Sequence, residues 1–117
     1  MTPEQQRRLN AMCGDLAKQV TWSVRINGVD HPTKLHRDDW RHMFSGIRLG
    51  DRIAPHPESP GRFITLSASS LRLTDEDASF VIDMIGAFGD DHDVIWSDPK
   101  ERALREQYAA ETHRGPR

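Results

Sequence analysis

The sequence of 117 residues is long enough for about one small domain, which excludes two independently folding domains. Its composition, 36% hydrophobic and 29% charged, is typical of a soluble protein with a modest core that a partner subunit could supplement. No apolar run approaches the roughly 20 residues of a membrane span, and the N-terminus lacks the apolar stretch of a signal peptide. A single cysteine excludes a disulfide framework, so we expect a cytoplasmic protein.

The formal net charge of −2 conceals an asymmetry along the chain. Residues 1–52 contain nine Lys and Arg against six Asp and Glu, whereas residues 53–117 contain seven against twelve. A basic half and an acidic half indicate one face that attracts polyanions. Two ordinary solvated faces explain the same counts, and composition alone favours that simpler interpretation.

The first predicted helix has a clear start signature, with Thr2 as N-cap, Pro3 in the first turn and Gln5 three residues after the cap. Apolar residues recur at helical spacing from Leu9 to Val20 and predict one buried stripe. The segment WSVRINGVD then alternates apolar and polar residues before an Asn-Gly pair, which predicts a strand followed by a tight turn. We interpret the following HPTKLH as a loop.

The middle of the chain contains a second helix and a proline-rich segment. Apolar residues on one helical face predict a helix over Arg37–Leu49 that closes near Gly50. RIAPHPESPGR carries three prolines and a glycine, so we interpret it as a loop. Two short strands are predicted over Phe63–Leu66 and residues 71–73, joined by a Ser-rich turn.

A third helix is predicted to begin after Thr74, with three carboxylates in its first turn against the positive end of the helix dipole. Its apolar face ends near Gly89, and residues 94–96 follow as a short extended segment. The start signature of the first helix recurs with Asp98, Pro99 and Glu101, which predicts a fourth helix from Pro99 to about residue 111. We expect residues 110–117 to form a frayed basic tail.

The segment GDDHDVIWSDP, residues 89–99, places four aspartates and a histidine around a short apolar run. Consecutive loop residues rarely converge on one ion, and the ligand spacings of calcium loops and zinc sites do not occur. We therefore interpret residues 90–93 as a solvated connection between helices, with no metal, and Asp98 as a helix cap. A nuclease with His and carboxylate ligands from separate elements stays open. No nucleophile elbow, phosphate-binding loop or dinucleotide fingerprint is present, so we predict that the protein is not an enzyme.

Three tryptophans, Trp22, Trp40 and Trp96, lie in or next to apolar stripes. Such large rings are usually buried, which predicts places in the core or in a subunit interface, and we expect at least one at the interface of a homodimer. The alternative is a platform on which the bases of a single strand stack.

Three segments of the chain together resemble a known family: QQRRLNAMCGDLAKQVTW, then DDWRHMF, then FITLSASSLRLTDEDASFVIDMIGAFGDDHDVIWSDP. In their order and spacing they are similar to the NinB family of lambdoid phages and prophages, also called Orf, whose members are recombination mediators. The resemblance extends from Gln5 to about Tyr108. Relatives usually carry further residues, including strands, ahead of the Gln-rich helix.

The resemblance implies a homodimer with no catalytic centre and no cofactor. It implies an accessory role in phage recombination, in which the protein binds single-stranded DNA in preference to duplex. It also implies contact with the single-strand binding protein, so that a recombinase can load.

The candidate DNA contacts come from two sources. Long polar and basic side chains lie off the buried stripe of the first helix, at Gln5, Gln6, Arg7, Arg8 and Lys18. The resemblance supports three of these, Gln5, Arg7 and Arg8, and adds Arg72 after the Ser-rich turn and the basic fourth helix with Lys100, Arg102 and Arg105. Asn10 stands where relatives often have an aromatic residue, which argues against base stacking at that position.

The sequence as a whole predicts one small α+β domain with about four helices and short antiparallel strands, dimeric, that binds DNA without hydrolysing it. Two alternatives stay open, a small metal-dependent phage nuclease and an adaptor that binds proteins alone. Magnesium or manganese added to labelled single strands separates the first from a binding protein.

Overall fold

The computed structural model describes residues 1–50, 52–66 and 73–113, and the side chains of that part as far as residue 111. Within it the fold is α+β with short antiparallel strands, as predicted. The elements in chain order are α1 (Pro3–Gln19), β1 (Thr21–Ile26), β2 (Val29–Lys34), α2 (Arg37–Leu49), β3 (Arg52–Pro55), β4 (Phe63–Leu66), α3 (Asp75–Asp91) and α4 (Pro99–His113).

The predicted starts of α1 and α2 are confirmed. The Thr2 hydroxyl accepts a hydrogen bond from the Gln5 amide at 3.1 Å, and the Gln5 side chain accepts one from the Thr2 amide at 2.9 Å. α2 uses His36 in the same way, because its ring accepts from the Asp38 amide while Asp39 accepts from the His36 amide. These reciprocal bonds satisfy amides that the first helical turn leaves without partners.

The core lies where α1 packs against α2 and α3. The predicted stripe of α1 is buried, and α3 contributes Val81, Ile82 and Ile85 from its own apolar face. Burial of one such side chain stabilises the folded state by about 1.5–3 kcal/mol relative to leaving it exposed. The apolar contacts among these three helices are therefore a main source of the stability of the fold. The buried apolar residues are Leu9, Met12, Cys13, Leu16, Val20, Trp40, Phe44, Leu73, Ala78, Val81, Ile82, Ile85, Val94 and Trp96.

An aromatic cluster attaches the first hairpin to this core. The Trp22 ring of β1 lies 5.7 Å from that of Trp40 and 5.4 Å from that of Phe88, measured between ring centroids. The Phe88 ring also stacks on His92 at 4.0 Å. One ring from the hairpin thereby joins α2 to the end of α3, in tilted and edge-on geometries that aromatic pairs favour.

The first hairpin follows the predicted Asn-Gly turn. Asn27 and Gly28 have φ of 50° and 79°, and β1 pairs with β2 in register from Ile26 opposite Val29 to Thr21 opposite Lys34. Positive φ at both turn residues is the geometry that two-residue hairpins require. The prediction that HPTKLH is a loop was wrong for its first four residues, which belong to β2. The error arises from Pro32, because proline usually indicates a loop but is tolerated on the edge strand of a two-stranded sheet.

The second hairpin differs from the prediction. Residues 52–55 were predicted to be loop but form β3, which pairs with β4 so that Ile53 lies opposite Thr65. Pro55 stands at the last pair of the ladder, where a missing amide costs little. The predicted partner strand, residues 71–73, and the Ser-rich turn fall almost entirely outside the described residues. Leu73, which is described, is not in a strand and lies buried just before α3.

α3 begins at the predicted cap, since Thr74 accepts from the Asp77 amide at 3.1 Å, but it runs beyond Gly89 to Asp91. The interpretation of residues 90–93 as a solvated connection was therefore wrong for Asp90 and Asp91. His92 ends the helix, where its ring stacks on Phe88 and Nδ1 lies 2.8 Å from the Phe88 carbonyl oxygen. Gly89 is therefore not the cap, and it serves packing instead, because the Trp96 ring occupies the space that a Cβ would need.

The segment from residue 94 to 98 folds back along α1. Gln19 exchanges two hydrogen bonds with the backbone of Ile95, each 2.8 Å long, and Asp15 accepts from the Ser97 amide and hydroxyl at 3.0 and 3.2 Å. Asp98 then caps α4 as predicted by accepting from the Lys100 amide at 2.9 Å. α4 extends to His113, two residues beyond the predicted end near residue 111, and the frayed tail over residues 110–117 stays a prediction.

The molecule is less compact than a typical domain of its length. The radius of gyration is 16.4 Å, against about 13 Å for a compact domain of this length, and the longest dimension is 53 Å. The hairpin formed by β3 and β4 is apolar and exposed, with Ile53 and Phe63 63% and 69% accessible. Among the described helices, none is long and apolar enough to cross a membrane.

Candidate nucleic-acid interface

The predicted contacts of α1 divide into exposed and engaged side chains. Gln6, Arg7 and Lys18 are exposed to solvent. Arg7 forms an ion pair with Glu4 at 2.7 Å and a longer one with Asp98 at 3.7 Å, and the Glu4 hydrogen bond raises the pKa of the guanidinium. Surface pairs of this kind contribute little and are screened by salt, so Arg7 can exchange its partner for a phosphate.

Gln5 and Arg8 face the protein instead. Beyond its role in the cap, the Gln5 side-chain amide donates to the Asp75 carbonyl at 2.8 Å and to Ser79 at 3.0 Å, so it joins α1 to α3. Arg8 donates two hydrogen bonds to Glu101, at 2.7 and 3.0 Å, which raise the pKa of Arg8. Both side chains contribute to packing between helices, a role that the sequence analysis did not anticipate.

Glu101 is the centre of a buried charged network. This side chain is 4% exposed and accepts from Arg105 at 3.3 Å as well as from Arg8. Arg105 also forms an ion pair with Asp90 at 3.4 Å, and Asp90 accepts a hydrogen bond from the Trp96 indole at 3.1 Å. The network therefore connects α1, α3 and α4. The sequence analysis did not predict this network, because it interpreted Glu101 only as part of a helix start.

Two predicted basic residues at the start of α4 remain open to solvent. Lys100 and Arg102 are exposed, and they lie on the helix that Asp98 caps, and the Asp98 carboxylate is 3.7 Å from Arg7. The first turn of α4 and the N-terminal part of α1 thus present basic side chains near one another. Arg72, the remaining candidate, lies outside the described residues.

A groove, which the sequence analysis missed, crosses the outer face of α1. It has a volume of about 580 Å³, and its lining includes Lys18 together with Lys34 at the end of β2 and Arg37 at the start of α2. Neither of these two residues belongs to a recognisable motif. They reach the groove because the first hairpin returns the chain to the C-terminal end of α1, where the Lys34 ammonium donates to the Lys18 carbonyl oxygen at 2.6 Å.

The acidic residues that the structure describes are dispersed among helix caps and ion pairs. In the described part of the chain, no group of three or more His, Cys, Asp or Glu side chains is arranged to hold an ion. The Asp90 carboxylate already accepts a hydrogen bond from the Trp96 indole and forms an ion pair with Arg105. Cys13 is fully buried, and burial raises the pKa of its thiol to about 12, so it is not a reactive nucleophile at neutral pH.

The tryptophans have different surroundings. Trp40 and Trp96 are 1% and 2% exposed and belong to the core of a single chain. Trp22 is 37% exposed at the edge of the aromatic cluster. Trp22 therefore has ring surface left for a partner subunit, while the assignment of all three to a dimer interface stays a prediction.

The three-helix core, the two antiparallel hairpins and the exposed basic side chains of α1 define a small α+β protein with a candidate polyanion-binding face. The sequence matches the family "NinB protein" over residues 2–97, and the chain therefore belongs to the NinB family.

Individual relatives agree with this assignment. The chain is 28% identical over 101 residues to Protein ninB of Salmonella phage P22 and to Protein ninB of Escherichia phage lambda. These matches cover 86% of this chain and 63% of each relative, so the chain spans under two thirds of their length. A solved structure titled "Structural Genomics, NinB" superposes with a TM-score of 0.67 at 25% identity, over 93% of this chain and 71% of that one.

Proposed function

We propose that the protein is an accessory factor of phage recombination that binds single-stranded DNA without catalysing a reaction. The observation that carries the proposal is the division among its basic residues. Arg8 and Arg105 are held in the internal network, whereas Arg7, Lys18, Lys100 and the neighbouring Arg102 present their charges to solvent along α1 and the start of α4. Exposed cations in a row bind a phosphate backbone independently of base sequence.

The proposed role includes protein partners. In it, the protein contacts the single-strand binding protein on covered DNA and helps a recombinase to load, as the family resemblance implies. It also acts as a homodimer, and the exposed hairpin of β3 and β4 supports this, because an isolated two-stranded hairpin with apolar side chains is marginally stable in water. A second subunit could cover Ile53 and Phe63.

The DNA-binding proposal is tested by fluorescence anisotropy with labelled oligothymidylate across a range of salt concentrations. We expect the logarithm of affinity to fall linearly with the logarithm of salt, by about 0.7 for each phosphate contacted. Arg7→Ala should flatten this slope by roughly one contact. Arg25→Ala is the matched control, since Arg25 is also an exposed arginine in a surface ion pair, with Asp30 at 2.8 Å, but lies on the hairpin.

The alternatives predict different results. A nuclease shortens the labelled strand when magnesium or manganese is added, and a protein-only adaptor binds the single-strand binding protein but not naked oligothymidylate. Either result would overturn the proposal.

For the dimer, sedimentation at micromolar concentration should show twice the monomer mass, and Phe63→Asp should lower this mass to that of one chain. A monomeric wild type would contradict the dimer without affecting DNA binding.

A further inference from the structure

The groove on α1 has a floor made of small residues. Ala11 and Gly14 line it on the side of the helix away from the core stripe of Leu9–Leu16, and Ala17, which also lines it, is partly packed against the core. The connection between β2 and α2 forms one wall and Ser97 belongs to the other. The helix backbone is therefore accessible along the floor.

Gly14 is unusual because nothing in the fold requires a glycine there. It lies in the interior of a 17-residue helix, where glycine costs about 1 kcal/mol relative to alanine. Its φ is not positive, and a Cβ built on it meets no atom of the described residues within 4 Å. Where neither conformation nor internal packing calls for glycine, the remaining physical use of the missing side chain is close approach of another molecule to the backbone.

The charges that face the groove are mainly positive. Lys18, Lys34 and Arg37 line it and are exposed. Asp15 also belongs to the lining, but it is 5% exposed and its carboxylate is engaged by the amide and hydroxyl of Ser97. An anion in the groove therefore meets three cations and a carboxylate that is turned into the protein.

We propose that this groove holds the sugar-phosphate backbone of single-stranded DNA, with the strand passing directly over Gly14. The inference rests on the proposed function and extends it to a defined path. Arg7, Gly14 and Lys18 are spaced at seven and four residues, so they lie on one side of α1 along about 16 Å of its axis. The groove thus continues the line on which Arg7 is exposed.

The lining favours a nucleic acid over a protein segment. Protein partners are usually anchored by aromatic or large apolar side chains that fill pockets. Among the groove residues Leu35 is the large apolar side chain, and it is already partly packed against the core. Small floor residues and long cationic walls instead suit a flexible chain of phosphates, which needs charge without a shaped apolar pocket.

The path over Gly14 is tested by chemical footprinting of a Gly14→Cys variant with a maleimide. The native Cys13 is buried and its thiol has a pKa of about 12, so the wild type should not be labelled. We expect Gly14→Cys to be labelled rapidly when free and to lose labelling in saturating oligothymidylate. Ala87→Cys is the matched control, because Ala87 is also exposed on a helix but lies on α3 beside the acidic Asp90 and Asp91. Its labelling should not change.

A second measurement avoids any change to the helix floor. Lys18→Gln combined with Arg37→Gln should lower the salt slope of oligothymidylate binding by about 1.4, because each cation that no longer meets a phosphate removes about 0.7. Arg25→Gln should leave the slope unchanged. If Gly14→Cys stays reactive in bound complexes and the double variant keeps its slope, the groove is not the path, although the proposed function stands. If wild type fails to bind oligothymidylate, the proposed function itself is wrong. Protection by an acidic peptide but not by DNA would overturn the groove proposal in favour of a protein partner.

Discussion

Removal of Glu101 should destabilise the fold far more than removal of a neighbouring surface carboxylate. Truncation of one partner in a buried ion pair costs about 3–5 kcal/mol, because the other charge stays buried. Since Arg8 is 30% exposed and can be rehydrated, and Arg105 keeps Asp90, we expect the low end for Glu101→Ala, about 3 kcal/mol. At about 4 °C per kcal/mol for a domain of this size, Tm should fall by ~12 °C.

The assay is thermal unfolding followed by circular dichroism, with two further variants. Glu106→Ala, on the exposed side of the same helix, should change stability by no more than about 0.5 kcal/mol. The double-mutant cycle of Glu101→Ala with Arg8→Ala should give a coupling of about 1–3 kcal/mol. A decrease in Tm of less than about 4 °C, or a coupling free energy of about zero between Glu101 and Arg8, would refute the reasoning. Arg8 would then be free to contact DNA, as the sequence analysis predicted.

Three other predictions concern single sites. Gly89→Ala should cost about 1–3 kcal/mol in chemical denaturation, because the new methyl group collides with the buried Trp96 ring; unchanged stability would show that the ring moves aside. The hydrogen bond from Arg48 lowers the pKa of Asp77 below its ordinary 3.8, so ionised Asp77 stabilises the fold above that pH, and this stabilisation is lost as pH falls through the folded-state pKa. Asp77→Asn should therefore flatten the dependence of Tm on pH between about pH 5 and 2, and a curve parallel to that of wild type would contradict this. The buried Ser45 hydroxyl makes no hydrogen bond within the described part of the chain, so Ser45→Ala should match or exceed the stability of wild type, and a clear loss would reveal a hidden partner.

Local signals allowed the helices to be predicted well. Thr2 and Thr74 mark helix starts through hydrogen bonds to amides three residues away, and the Asn-Gly pair fixes its own turn geometry. Such interactions depend on adjacent residues alone, so they can be read along the chain. β3 could not be found in this way, because Pro55 is a turn signal in isolation and its strand forms through pairing with residues about ten positions later.

The candidate site was predictable in residue type but not in placement. Arg7 and Arg8 are adjacent in the sequence and looked equivalent, yet Arg7 faces solvent and Arg8 faces Glu101, which lies 93 residues away. The partner of Arg8 is set by the packing of α4 on α1, and no local pattern encodes that. The same reason explains why Lys34 and Arg37 were overlooked, since their proximity to Lys18 is created by the hairpin between them.

The aromatic cluster also provides an intrinsic spectroscopic signal for the position of the first hairpin. Trp22 and Trp40, with ring centroids 5.7 Å apart, are close enough for their electronic transitions to couple, and one belongs to the hairpin while the other belongs to the core. Their joint signal in near-ultraviolet circular dichroism therefore depends on whether the hairpin is docked. Docking and release of the hairpin can therefore be followed in unlabelled protein through these two rings.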